Sequence, residues 1–146
     1  MAQDTRKRIV VGVDGSALSL VALRTARRLA ELLQCRIEAV TVWSYPVALA
    51  VPVASTEWAP GVEAEKALDD TIREAFGDDI PEGLQRTAVA GQPVQVLVEA
   101  SRGSEMLVLG SRGRGGFTGL LLGSVSSAAA AHAHCPVLIV HPVGRD

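Results

Sequence analysis

Aromatic residues are nearly missing from this sequence, at 3% of 146 positions, and only Lys7 and Lys66 among its 14 basic residues are lysines. With a formal net charge of −2 and no basic run, the chain has neither the electrostatic footprint of a nucleic-acid binder nor an evident attraction to anionic membranes. The first residues, Met1 to Arg8, are polar and lack the apolar core of a signal peptide. The longest weakly polar stretch, Gly115 to Val143, is broken by glycines, serines, histidines and two prolines, and makes a poor membrane span. A cytoplasmic protein is therefore expected. Cysteine is limited to Cys35 and Cys135, in no short motif, and both read as small buried hydrophobes. His132 and His134 lie two apart, so a helix would point them in different directions; with His141 ending the last strand, they match no zinc spacing.

What is abundant is aliphatic: apolar residues make up 48% of the chain. At this length the whole chain, residues 1–146, reads as a single domain with one core built from Val, Leu, Ile and Ala. Such a core suits parallel strands buried on both faces beneath Ala/Leu-rich helices. Short apolar runs predict strands over Arg8–Asp14, Arg36–Val42, Leu84–Ala90, Glu105–Gly110 and Pro136–His141, the third weaker and suited to a sheet edge.

Between these strands the apolar period lengthens to that of a helix. Leu18, Ala22, Ala26, Leu29 and Leu33 form a stripe after the capping sequence Asp14-Gly-Ser16, and Arg24, Arg27, Arg28 and Glu31 read as its solvated face. A second helix is expected over Val62–Phe76, with Leu68, Ile72 and Phe76 inward and Asp69–Arg73 as an i,i+4 pair. A third opens at Gly91-Gln-Pro93 and turns Val94, Leu97, Val98 and Ser101 inward, and a fourth covers Ser124–Ala133. Trp43 to Gly61, with Pro46, Pro52 and Pro60, reads as a long loop. Strict alternation of strand and helix implies an α/β fold: a parallel sheet, right-handed crossovers, and helices on both faces.

The segment that carries chemistry is Gly110-Ser-Arg-Gly-Arg-Gly-Gly-Phe-Thr-Gly-Leu-Leu-Leu-Gly-Ser124, which holds 6 glycines where a strand ends and a helix begins. Glycine at that density costs conformational entropy. One return is that bare main-chain N–H groups can approach an anion, helped by the positive end of the helix dipole. Ser124 is a candidate helix cap or phosphate donor, and Ser126 a phosphate donor. The P-loop signature fails because the segment has no lysine. The dinucleotide fingerprint fails because Thr118 stands where its third glycine belongs. What remains is Gly110-x2-Gly113-x9-Gly123-Ser124.

That spacing is the nucleotide motif of the ATP-binding group of universal stress proteins, which the chain resembles from Arg8 to Val140. The opening Ile-Val-Val-Gly-Val-Asp-Gly-Ser16, the glycine segment, the run Leu-Leu-Leu-Gly-Ser-Val-Ser126 and the ending Cys-Pro-Val-Leu-Ile-Val140 all resemble that family's. Departures are confined to the long loop after Trp43 and the alanines from Ala128 to Ala131. The resemblance implies a doubly wound, five-stranded parallel sheet in the order 3-2-1-4-5, with a ligand crevice beyond the ends of strands 1 and 4. It implies that Gly12, Val13, Asp14 and Val42 border the base and the nearby pocket. Gly110, Arg112 and Gly113 would follow the ribose and phosphates; Gly123, Ser124, Val125 and Ser126 would grip the phosphate chain. Asp14 would help hold Mg²⁺ against ATP.

The resemblance further implies a homodimer joined through Val137, Leu138, Ile139 and Val140, and a role in stress response. The expected function is a nucleotide-dependent regulatory module. A slow ATPase or self-phosphorylating enzyme, an AMP or cyclic AMP sensor, and a pure interaction protein are the alternatives. Efficient turnover is not expected, because no catalytic base is evident beside Asp14, Arg112 and the serines.

Overall fold

The computed structural model describes residues 4–44, 59–113 and 122–142. Its elements run β1 (Arg8–Gly12), α1 (Ala17–Leu33), β2 (Arg36–Trp43), α2 (Pro60–Phe76), β3 (Gln85–Ala90), α3 (Pro93–Ala100), β4 (Met106–Gly110), α4 (Ser124–His132) and β5 (Val137–Val140). All strand pairs are parallel, and the sheet order is β3-β2-β1-β4-β5. The parallel sheet is the one expected from the alternation, and its doubly wound order the one implied by the resemblance, with β3 at one edge. Among the described residues no helix is long and apolar enough to cross a membrane.

The continuous apolar strands are explained by burial on both faces. Ile9, Val11, Ile37, Ala39 and Val108 point to one side, against Ala22, Leu23 and Ala26 of α1 and Leu68, Ile72 and Phe76 of α2. Val10, Val40, Leu107 and Leu109 point to the other, against Leu97 of α3 and Ala129 of α4. Cys35 is buried and Cys135 half-buried, both as free thiols, and burial pushes both thiols' pKa up, in keeping with packing.

Several local expectations are corrected. Helix α2 begins at Pro60, because proline suits the first turn, where its missing N–H is not needed. The ring of Trp43 lies against Gly61: a Cβ there would come within 3.0 Å of it. The rest of the long loop, from 45 to 58, lies outside the described residues. Asp69 pairs with Arg86 of β3 at 2.8 Å, a tertiary ion pair in place of the expected helical one with Arg73. In α3, Val96 joins Leu97 in the core, whereas Val94 does not.

The basic face of α1 is not simply solvated. Arg24 donates to the carbonyls of Ala75 and Glu74, and Arg27 to the carbonyl and carboxylate of Asp79, while lying 5.4 Å from the centre of the Phe76 ring. Arg24 thereby satisfies carbonyls that the end of α2 leaves without helical partners, and Arg27 ties α1 to the loop that follows α2. Leu33, expected in the apolar stripe, is 46% exposed, because α1 ends there.

A charged group is built into the sheet. Glu38, 6% exposed, accepts from Arg8 at 2.7 Å on one carboxylate oxygen and from the Thr87 hydroxyl at 2.7 Å on the other. Arg8 also donates to Ser104 Oγ and the Ala100 carbonyl, so three strands and the end of α3 meet at one ion pair. Removing one member of such a pair strands a buried charge. Arg8→Met is expected to cost about 3 kcal/mol, read as a lower urea midpoint with unchanged slope. Adding Glu38→Leu should recover most of that loss, since the desolvation cost leaves with the second charge.

Candidate functional site

The connection after β1 leads to α1 on one face of the sheet, and that after β4 leads to α4 on the other. Between the two divergent connections the strand ends border an open crevice, the usual ligand position in such sheets. A cavity of about 450 Å³ lies there, within the range of small-molecule sites. All 11 residues expected at the site line it: Gly12, Val13, Asp14, Val42, Gly110, Arg112, Gly113, Gly123, Ser124, Val125 and Ser126.

One wall is apolar. Val40, Val42, Pro93, Leu97 and Leu109 come from β2, the start of α3 and β4. Of these only Val42 was expected from the sequence. The others sit at strand ends or in the first turns of α3, a position that could have flagged them. Val13 N–H donates to the Val40 carbonyl at 2.8 Å, carrying the β1–β2 ladder one residue past the strand and holding this wall to the loop that follows.

The opposite wall is polar and begins with Asp14. One of its oxygens, Oδ1, accepts from Ser16 N–H at 3.0 Å and from the Ser19 hydroxyl at 2.9 Å. Gly15 supplies the turn, with φ of 81°. Ser16 is the N-cap of α1 by backbone geometry, yet its side chain makes no capping bond; the Asp14 carboxylate takes its N–H instead. Ser16 and Ser19 both line the cavity and were not expected there; the only sequence signal was their spacing of two and five residues from Asp14.

The same cavity is closed at its other end by the start of α4. The N-cap is Gly123, not Ser124, and the first intrahelical bond runs from Ser127 N–H to the Gly123 carbonyl at 3.0 Å. Ser124, Val125 and Ser126 thus present the first-turn N–H groups that no helical carbonyl reaches. Ser126 differs from expectation: its hydroxyl donates to the Gly110 carbonyl at 2.5 Å, so its offer to an anion is its main-chain N–H. Gly123 N–H donates to the Ser111 carbonyl at 2.6 Å, which ties the returning chain to the end of β4. Gly115, Gly116, Phe117 and Gly119, together with Arg114, lie outside the described residues.

The glycines do different work. A Cβ on Gly12 would come within 2.5 Å of Leu109 Cδ2, and one on Gly110 within 2.8 Å of Leu18 Cβ. Those two are required by packing, not by an anion. A Cβ on Gly113 would come within 2.6 Å of Asp14 Oδ2, so its bareness makes room for the carboxylate. At Gly123 the nearest atom would be 3.4 Å away, an ordinary contact, and the backbone (φ −73°, ψ 171°) suits any residue.

The family model described as the universal stress protein family matches residues 5–141. The chain belongs to this family. It is 36% identical over 142 residues to a universal stress protein of Mycolicibacterium smegmatis, a match covering 97% of this chain and 48% of the relative. A universal stress protein of Mycobacterium tuberculosis is 35% identical over 144 residues, with 91% and 47% covered. The chain therefore spans about half the length of these relatives. Among solved structures, UspA from Lactobacillus plantarum superposes with a TM-score of 0.74 at 21% identity, covering 94% of this chain and 99% of that one, a likeness of fold. A universal stress protein solved in complex with cAMP superposes with a TM-score of 0.65 at 28% identity, covering 94% and 98%.

Two substitutions separate the roles of the motif glycines. Gly113→Ala should lower the melting temperature of this universal stress protein without added ligand, because the new Cβ collides with the Asp14 carboxylate. Gly123→Ser should leave that temperature unchanged or raise it, serine being a favoured N-cap residue. A thermal unfolding scan of the two variants beside the parent checks both.

Proposed function

We propose that this universal stress protein binds an adenine nucleotide, ATP in the first instance, and works as a nucleotide-dependent regulatory module in the stress response. The observation that carries the reading is one cavity with two chemically distinct ends. An apolar wall of Val40, Val42, Pro93, Leu97 and Leu109 suits a base, and first-turn amides of α4 with Arg112 suit phosphates. The cAMP complex of a structural relative keeps AMP and cyclic AMP open as alternative ligands.

The residues present also fit Mg²⁺. Among the described residues no group of three or more His, Cys, Asp or Glu could hold a metal unaided. Asp14, however, is one carboxylate beside the glycine segment, and Mg²⁺ on a nucleotide needs little more, taking its remaining ligands from phosphates and water. When bound, the cation would neutralise phosphate charge facing Asp14. Phosphoryl transfer would need a base or an orienting group for the attacking oxygen. Among the described lining residues only Asp14 and Arg112 are charged, and the oxygen Oδ1 of Asp14 is already held by two donors. This supports binding over efficient turnover.

Denaturing the purified protein and identifying what it releases is the direct test, with an adenine nucleotide the expected result. In a thermal scan, ATP at 100 times its Kd should stabilise the fold by about 2.7 kcal/mol, and Gly123→Ser should lose most of that shift. If neither parent nor variant responds to ATP, AMP or cyclic AMP, and nothing is released, the reading is wrong.

The homodimer belongs to the same proposal. β5 is an edge strand of Val137, Leu138, Ile139 and Val140, paired within the chain only to β4, and a short apolar edge is satisfied by a second copy. Sedimentation should give a mass near twice 15.3 kDa. Ile139→Lys should return the monomer.

A further inference from the structure

We propose that Ser19 is a positioning residue for Asp14, locking its carboxylate so that Oδ2 is directed toward Gly113 and serves a nucleotide-bound Mg²⁺. This inference rests on the nucleotide reading above and deepens it. Ser19 is 3% exposed and stands in the first turn of α1. Its hydroxyl makes two bonds to one residue: it donates to Asp14 Oδ1 at 2.9 Å and accepts from Asp14 N–H at 3.0 Å. Ser16 N–H adds a second bond to the same Oδ1 at 3.0 Å. With Oδ1 fixed by two donors, the carboxylate plane is set. The other oxygen is then directed at Gly113, at 2.6 Å from where a Cβ on that glycine would lie.

Helix capping alone does not account for this arrangement. In a capping box the third helical residue reaches back to the N-cap N–H. Here the N-cap N–H is taken by Asp14, the Ser16 side chain makes no cap bond, and Ser19 reaches past the N-cap to grip Asp14 from both sides. The geometry immobilises Asp14 rather than the helix end. Partners of metal-ligating carboxylates behave in this way: they orient the ligand without touching the metal, and losing one typically costs about 10- to 100-fold in metal affinity.

The test measures ATP binding by the full chain in Mg²⁺ and in EDTA, for the parent, Ser19→Ala, Ser19→Thr and Asp14→Asn. The parent should bind ATP more tightly in Mg²⁺. Ser19→Ala should bind as the parent does in EDTA yet lose about tenfold of the Mg²⁺-dependent gain. Ser19→Thr, which keeps the hydroxyl, should restore it, and Asp14→Asn should lose it as Ser19→Ala does. The proposal is overturned if Ser19→Ala keeps the full gain, or if it weakens binding equally in EDTA and Mg²⁺, the sign of a merely structural role. A parent that binds ATP with no Mg²⁺ dependence also overturns it and leaves the nucleotide reading standing. A parent that binds no nucleotide at all overturns both.

Discussion

The chemistry of this fold depends on β1 and β4 lying side by side while the chain leaves them toward opposite faces of the sheet. Parallel pairing fixes the register, Val10 beside Leu107 and Val11 beside Val108, so the two strands end within one residue of each other. Right-handed crossovers then carry α1 to one face and α4 to the other, and the gap between them cannot be filled by either connection. Asp14 follows β1 and Gly110 ends β4, so a carboxylate and the glycines Gly110 and Gly113 line the same gap. No single residue creates the site; the strand order does.

The order of elements was legible because both periods were clean: continuous apolar strands, and helices with buried residues every three or four positions. The glycine spacing pointed to the family resemblance, and the residues which that resemblance implied line one cavity. What escaped were features that depend on partners distant in sequence. Asp69 could not be assigned to Arg86 from helical spacing, nor could Arg24 be seen to close the end of α2, or Arg27 to hold the loop after it. The apolar wall escaped for a similar reason, since Val40 and Leu109 look like any buried strand residue until the strands are laid side by side. Ser126 shows the limit for a single side chain: its hydroxyl suits a phosphate oxygen, but the Gly110 carbonyl is nearer and takes it.

The same bonds that shape the cavity reach the sheet edge. Ser111, which is buried, donates its N–H to the Val140 carbonyl at 2.8 Å and accepts from Gly123 N–H at 2.6 Å. The start of α4, the end of β4 and the last residue of β5 are therefore joined by consecutive backbone bonds. Under the proposed nucleotide and dimer readings, a ligand at the first turn of α4 and a second copy on β5 would touch the two ends of this bonded path, and any coupling between them would run both ways.

The glycines bear on whether a ligand is needed to explain the sequence at all. Gly12 and Gly110 are accounted for by the side chains of Leu109 and Leu18, and Gly113 by the Asp14 carboxylate. A protein that bound nothing would still need them. Gly123 is different, for its backbone is ordinary, the space around it accommodates a Cβ, and the N-cap position it fills favours serine, threonine, aspartate or asparagine at least as well. Within the described fold nothing asks for glycine there. Gly123 lines the cavity beside the first-turn amides of α4, and the Cβ it lacks would rest on the backbone of Ser111, Arg112 and Gly113 at ordinary contact distance. Gly123 is thus the motif glycine least explained by the protein's own packing, and the one on which the proposed nucleotide reading bears most directly.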